Sequence, residues 1–137
     1  DLALDAALPP AALTAAVREA CRPDGADAVI EVTGDARVIP QALPLLRVGG
    51  RYVLAGVVTP GAVASVDFNQ VLRQCLTLRG VHNYHPRHLV QALDFVMSQR
   101  QHYPFRDLVD GRYPLERIDD AFRDAAACRV LRAAIIP

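Results

Sequence analysis

An α/β fold built on a parallel sheet is predicted by three stretches of this 137-residue chain. Gly25-Ala-Asp-Ala-Val-Ile-Glu-Val-Thr-Gly34 and Arg51-Tyr-Val-Leu-Ala-Gly-Val57 are short apolar runs, each closing at or beside a glycine, with a helical pattern between them. Leu76-Thr-Leu-Arg-Gly-Val81 repeats the strand signature after a further helical stretch. Strands that alternate with helices run parallel, because each crossover helix returns the chain to the same edge.

The elements follow in order. Pro9-Pro10 and the Ala-rich run to Cys21 read as a helix with proline in its first turn, and Leu13, Val17 and Ala20 share one face. Arg22-Pro-Asp-Gly25 is a turn, and Asp27 to Val32 is the first strand, β-branched and ended by Gly34. Asp35 is placed to cap the next helix, which carries Val38, Ile39, Ala42, Leu43 and Leu46 inward. Pro40 belongs in its first turn, Pro44 shortens it, and Val48-Gly49-Gly50 ends it as turn and cap glycines. Phe68 to Gln74 suits a short helix ahead of the third strand. From Arg87 to Gln99 the chain is a helix whose stripe of Leu89, Ala92, Leu93 and Val96 is expected to be buried. Tyr103-Pro-Phe is a loop, Asp107-Leu-Val109 a short strand, Pro114 to about Ala127 an amphipathic helix, and Arg129 to Pro137 a closing strand.

Composition narrows the function classes. Fifteen basic and fifteen acidic residues cancel, and every basic one is arginine. A nucleic-acid footprint needs clustered positive charge, which is absent from the sequence. No apolar run is long enough to span a bilayer, so no membrane partner is expected. Asp1 to Asp5 has neither the basic start nor the apolar core of a signal peptide. Cys21, Cys75 and Cys128 are odd in number and far apart, as reduced, buried thiols of a cytoplasmic protein would be. The chain starts with Asp1 rather than methionine, which predicts a processed or truncated piece.

In their order these segments resemble the C-terminal portion of zinc-type medium-chain dehydrogenases, the alcohol dehydrogenase superfamily. The resemblance is carried by Gly25–Gly34, by Leu45-Leu-Arg-Val-Gly-Gly-Arg-Tyr-Val-Leu-Ala-Gly-Val57, and by the tail Tyr113-Pro-Leu-Glu-Arg-Ile-Asp-Asp-Ala-Phe122 with Arg129-Val-Leu-Arg-Ala-Ala-Ile-Ile-Pro137. Gly80-Val-His-Asn-Tyr-His-Pro-Arg-His-Leu89 and Tyr103-Pro-Phe105 resemble, more narrowly, a branch proposed to act in phosphonate breakdown.

The resemblance implies that the three strands are the fourth, fifth and sixth of a doubly wound Rossmann sheet. Residues 1–102 would be the second half of the dinucleotide-binding domain, and 103–137 a helix-strand return segment. Ligands of such sheets bind beyond the carboxyl ends of the strands. That places a partial NAD or NADP site at Val32, Thr33, Gly34, Ala55, Gly56, Val57, Val81, His82 and Asn83. The first cluster would lie near the adenosine ribose. Backbone groups of Ala55, Val81 and Asn83 would hold the nicotinamide carboxamide, which wants an acceptor and a donor at fixed positions. Arg132 matches an arginine that reaches the pyrophosphate in some members, where a guanidinium fork suits phosphate oxygens.

Other parts of that family's site are missing from the sequence. No Gly-x-Gly-x-x-Gly turn occurs, although such a turn and its helix N-terminus supply much of the pyrophosphate binding. The zinc ligands, the proton relay and the ribose-binding acid of the family have no counterpart either, so no catalytic or metal-binding residue is predicted. His82, His85 and His88 recur every third residue, but Pro86 breaks any single helical face and no acid is adjacent. Lining the site mouth, or capping the helix from Arg87, suits them better.

The expected function is therefore that of a truncated NAD(P)-dependent, zinc-type alcohol dehydrogenase, inactive alone. Two alternatives remain at this point. One is a dimerisation or interaction module made of the same half-fold. The other is a methyltransferase fragment, suggested by Leu45 to Arg51 and disfavoured by the tail. Strand Asp27–Val32, without its usual neighbour, and strand Leu76–Val81, which resembles the strand through which family dimers join, predict a homo-oligomer.

Overall fold

The computed structural model describes residues 2–5, 7–21 and 24–137, and the chain divides into two compact units, Asp1–Asn83 and Tyr84–Pro137. The first begins with α1 (Pro10–Ala20), which has prolines at its cap and first position and Leu13 and Val17 half-buried. The turn expected at 22–25 lies partly outside the described residues. Strand β1 (Ala26–Glu31) follows, then α2 (Val38–Ala42), a 3-10 turn (Leu43–Leu45) and β2 (Leu46–Leu54). A short helix α3 (Phe68–Arg73), capped by the Asp67 carboxylate on the Asn69 amide at 2.9 Å, leads into β3 (Thr77–Gly80). All three strands are parallel in the order β1-β2-β3, so the α/β expectation holds.

Ile39, Leu43, Leu46 and Tyr52 form the buried core, with Val29, Leu54, Leu76 and Leu78 packed against them. Pro44 sits in the 3-10 turn that follows α2, where Leu43 is buried, and the residue after the turn, Leu46, opens β2 and is buried beside it. Tyr52 is fully buried, and its hydroxyl has no hydrogen-bond partner among the described residues.

Two local expectations are corrected here. Gly49-Gly50 is a bulge inside β2, not the turn that ends a helix. Register shows it: β2 advances from Leu46 to Arg51 while β1 advances only from Ala26 to Ala28. The surplus loops out because Gly49 takes a left-handed φ of 74° and Gly50 leaves no Cβ to meet the Arg47 carbonyl, which would lie 2.8 Å away. Asp35 does not cap α2. Its carboxylate accepts from the Arg37 amide at 2.9 Å and pairs with the Arg37 guanidinium, closing a turn before the helix begins.

The second unit opens with α4 (Pro86–Gln99), capped as expected by His85, whose Nδ1 accepts from the Arg87 amide at 3.2 Å. Strand β4 (Gly111–Pro114), helix α5 (Ile118–Ala126) and β5 (Ala133–Ile136) make a second parallel pair joined by a crossover helix. The Tyr113 hydroxyl donates to Asp124 at 2.8 Å and ties β4 to α5.

Three expectations fail in this unit. The stripe of α4 is periodic but exposed: Leu89, Leu93 and Val96 are 48, 57 and 38% accessible. The helix that packs on β4 and β5 is α5, which buries Ala121. Asp107–Val109 is not a strand. Its amides are spent in turn bonds, Asp107 to the Pro104 carbonyl and Val109 to that of Arg106, within a 3-10 turn at Phe105–Leu108. The closing strand starts only at Ala133, because the Asp110 carboxylate takes the amides of Leu131 and Arg132.

Candidate functional site

The carboxyl ends of β1, β2 and β3 lie side by side, and β2 is central. Gly56 is the pivot of their approach. A Cβ there would meet the Val32 carbonyl carbon at 2.5 Å and the Gly34 nitrogen at 2.7 Å, so the two loops are in backbone contact. Gly34 itself takes a left-handed φ of 79°.

Sequence reasoning passed over the residue that organises this contact. Glu31, the last residue of β1, is only 3% exposed. Its Oε1 accepts from the Thr33 amide at 2.6 Å, the Thr33 hydroxyl at 2.8 Å and the Gly34 amide at 2.8 Å. Its Oε2 accepts from the amides of Gly56 at 3.0 Å and Val57 at 3.1 Å. The Glu31 carbonyl also receives the Ala55 and Gly56 amides. Burial alone would raise this carboxyl's pKa, but the hydrogen bonds from Thr33, Gly34 and Gly56 outweigh it and hold the group below the usual glutamate value. One signal was available: an acid within an apolar strand must find partners, and Thr-Gly follows it directly.

The expected site residues fall into three groups. Val32, Thr33 and Gly34 are exposed at the end of β1. Ala55, Val57, Val81 and His82 line one open cleft of about 480 Å³, floored by Ile39 and Leu54, with Gly56 beside it. Asn83 follows His82 with a left-handed φ of 57°, which asparagine tolerates better than most residues. Arg132 belongs to the second unit, where it borders a separate cavity of about 280 Å³ with Phe122 and Leu131.

The free backbone groups of the cleft are of definite types. The Val81 amide is engaged with the Leu54 carbonyl at 2.9 Å. The carbonyls of Ala55 and Val81 and the amide of Asn83 make no backbone hydrogen bond among the described residues. Two acceptors and a donor at adjacent strand ends fit a primary carboxamide, which carries two N–H donors and one acceptor. Among the described residues no three His, Cys, Asp or Glu side chains converge as metal ligands would.

The profile of the family described as zinc-binding dehydrogenase matches residues 2–98. The 5-exo-hydroxycamphor dehydrogenase of Pseudomonas putida is 23% identical over 111 residues, covering 81% of this chain and 31% of that protein. An alcohol dehydrogenase from Thermotoga maritima superposes with a TM-score of 0.87 at 24% identity, covering 95% of this chain and 35% of its own. Benzyl alcohol dehydrogenase from Acinetobacter calcoaceticus gives 0.74 at 26% identity, covering 90% and 34%. The chain thus spans about a third of the length of the relatives it matches.

Proposed function

This chain belongs to the zinc-binding dehydrogenase family, and from that premise we propose that it forms the nicotinamide side of the cofactor domain of an NAD(P)-dependent alcohol dehydrogenase. The parent reaction is hydride transfer between an alcohol carbon and the nicotinamide. Val32, Thr33 and Gly34 border the adenosine ribose; Ala55, Gly56, Val57, Val81, His82 and Asn83 border the nicotinamide; Arg132 serves the pyrophosphate. The observation that carries the reading is the cleft at the ends of β2 and β3, where the Ala55 and Val81 carbonyls make no backbone hydrogen bond among the described residues, with the Asn83 amide, likewise without one, next in the chain after His82. No residue of this sequence is proposed as a zinc ligand or as a catalytic group.

Half a site binds weakly. The glycine-rich turn and its helix dipole hold the pyrophosphate in such domains, and none is present in this sequence. Titrating NADH into the chain and following amide shifts is expected to move the resonances of 55–57 and 81–83, with a dissociation constant no tighter than millimolar. A micromolar constant would show that this half suffices alone, and shifts confined to other regions would remove the assignment.

The sheet leaves β1 and β3 as edge strands, with Ile30 65% and Val32 71% exposed. Unpaired apolar edges template pairing with another chain. We therefore propose self-association through β1 or β3. Sedimentation velocity at micromolar concentration is expected to show a species heavier than the 14.9 kDa chain; a clean monomer would sink the idea.

A further inference from the structure

Converging backbone N–H groups form concavities that bind anions. The ends of β1 and β2 make such a concavity from the amides of Thr33, Gly34, Gly56 and Val57, and a side chain of the same chain fills it. We propose that Glu31 is the resident anion of this amide nest, a positioning residue that fixes Val32–Gly34 against Ala55–Val57 and keeps phosphate off this face.

The division of labour between its oxygens carries the argument. Oε1 serves only the loop after β1, and Oε2 serves only the loop after β2. The carboxylate therefore bridges two loops beyond the last ladder pair of β1 and β2, Glu31 with Leu54. No arginine or histidine forms an ion pair with it among the described residues, so dipoles alone satisfy its charge. Thr33 extends the chain of bonds, since its hydroxyl donates to Oε1 and accepts from the Asp35 amide at 3.1 Å. A glutamine could not replace the group: it has one acceptor oxygen, and its NH₂ would face amide donors.

The consequence reaches the ligand. With those four amides consumed and a buried negative charge behind them, an incoming phosphate finds neither free donors nor attraction here. What the neighbouring cleft leaves open is two carbonyls and the Asn83 amide, a pattern for a neutral carboxamide. This selection between neutral and anionic parts of a dinucleotide rests on the cofactor reading above; the clamp does not.

Amide NMR of the whole chain tests both. In the wild type, through-hydrogen-bond couplings are expected from the amide nitrogens of Thr33, Gly34, Gly56 and Val57 to the Glu31 carboxylate carbon, and their absence overturns the clamp without any variant. Glu31→Ala removes a CH₂–COO⁻ unit that acetate can replace. The four amides are expected to move upfield and exchange faster in that variant, to return toward wild-type positions on adding acetate, and to respond to inorganic phosphate. Unmoved amides, or no rescue by acetate, would overturn the proposal. Glu31→Gln is expected to keep the bonds of one loop and lose those of the other. Inorganic phosphate added to the wild type is expected to leave these amides in place; shifts there would overturn the exclusion of anions. If NADH leaves the strand ends unmoved while the couplings persist, the clamp stands and the cofactor reading falls. NADH shifts without couplings would do the reverse.

Discussion

Gly56→Ala is expected to destabilise the first unit by about 3 kcal/mol, the top of the range for inserting one carbon into a filled site. Three atoms decide this, and all are backbone: the Val32 carbonyl carbon at 2.5 Å, the Val32 Cα at 2.7 Å and the Gly34 nitrogen at 2.7 Å from the new Cβ. No rotamer change relieves such a contact, so one loop must move by most of an ångström. That movement breaks the bonds of the Gly56 amide to the Glu31 carbonyl and Oε2, at 2.9 and 3.0 Å. Stability and the strand-end geometry therefore fall together. Gly80→Ala is the control, because nothing lies within 4 Å of its Cβ position and its φ is ordinary. Urea denaturation should show the first variant far less stable and the second within about 0.5 kcal/mol of wild type. Equal midpoints for the two would mean that the loops are not held in contact.

The contrast between these glycines also shows what the sequence makes legible. Strand runs such as Ala28-Val-Ile30 and Tyr52-Val-Leu54 are local patterns, and their parallel pairing follows from the helices between them. A glycine after a strand marks an exit but not its reason: Gly34 has a left-handed φ, Gly56 has a crowded Cβ, and both look alike in one dimension. Gly49-Gly50 misled for the same reason, since a cap and a bulge both use glycine's freedom. Glu31 was hidden more deeply. Its donors come from Thr33 and Gly34 nearby but also from Gly56 and Val57 on the next strand, a meeting that only the fold produces. The α4 stripe fails in the opposite sense. Periodicity correctly gave the helix and its apolar face, but a face does not name its neighbour.

Leu43→Ala is expected to cost the first unit about 2–5 kcal/mol. Leu43 is 1% exposed and packs with Ile39, Leu46 and Tyr52, which are the only residues of this unit's core cluster that are themselves buried, among those described. A domain of this size has roughly 5–15 kcal/mol of stability in all, so one such cavity removes a large share of it. The surroundings limit collapse. Leu43 lies in a 3-10 turn stiffened by Pro44, and Tyr52 is fixed in the central strand between β1 and β3. Neither can close over the space, which places the expectation toward the upper end. Leu72→Ala is the matched comparison: the same atoms leave a residue that is 75% exposed, and the change should stay within about 0.5 kcal/mol. Amide exchange adds a spatial test. Protection should fall along β1 and β2 together in Leu43→Ala, because both strands contact the turn that carries Leu43 and pack against the same core cluster. If β1 and β2 kept wild-type protection, the sheet would have to be held by its ladder alone, and the strand-end site would not depend on the core beneath it.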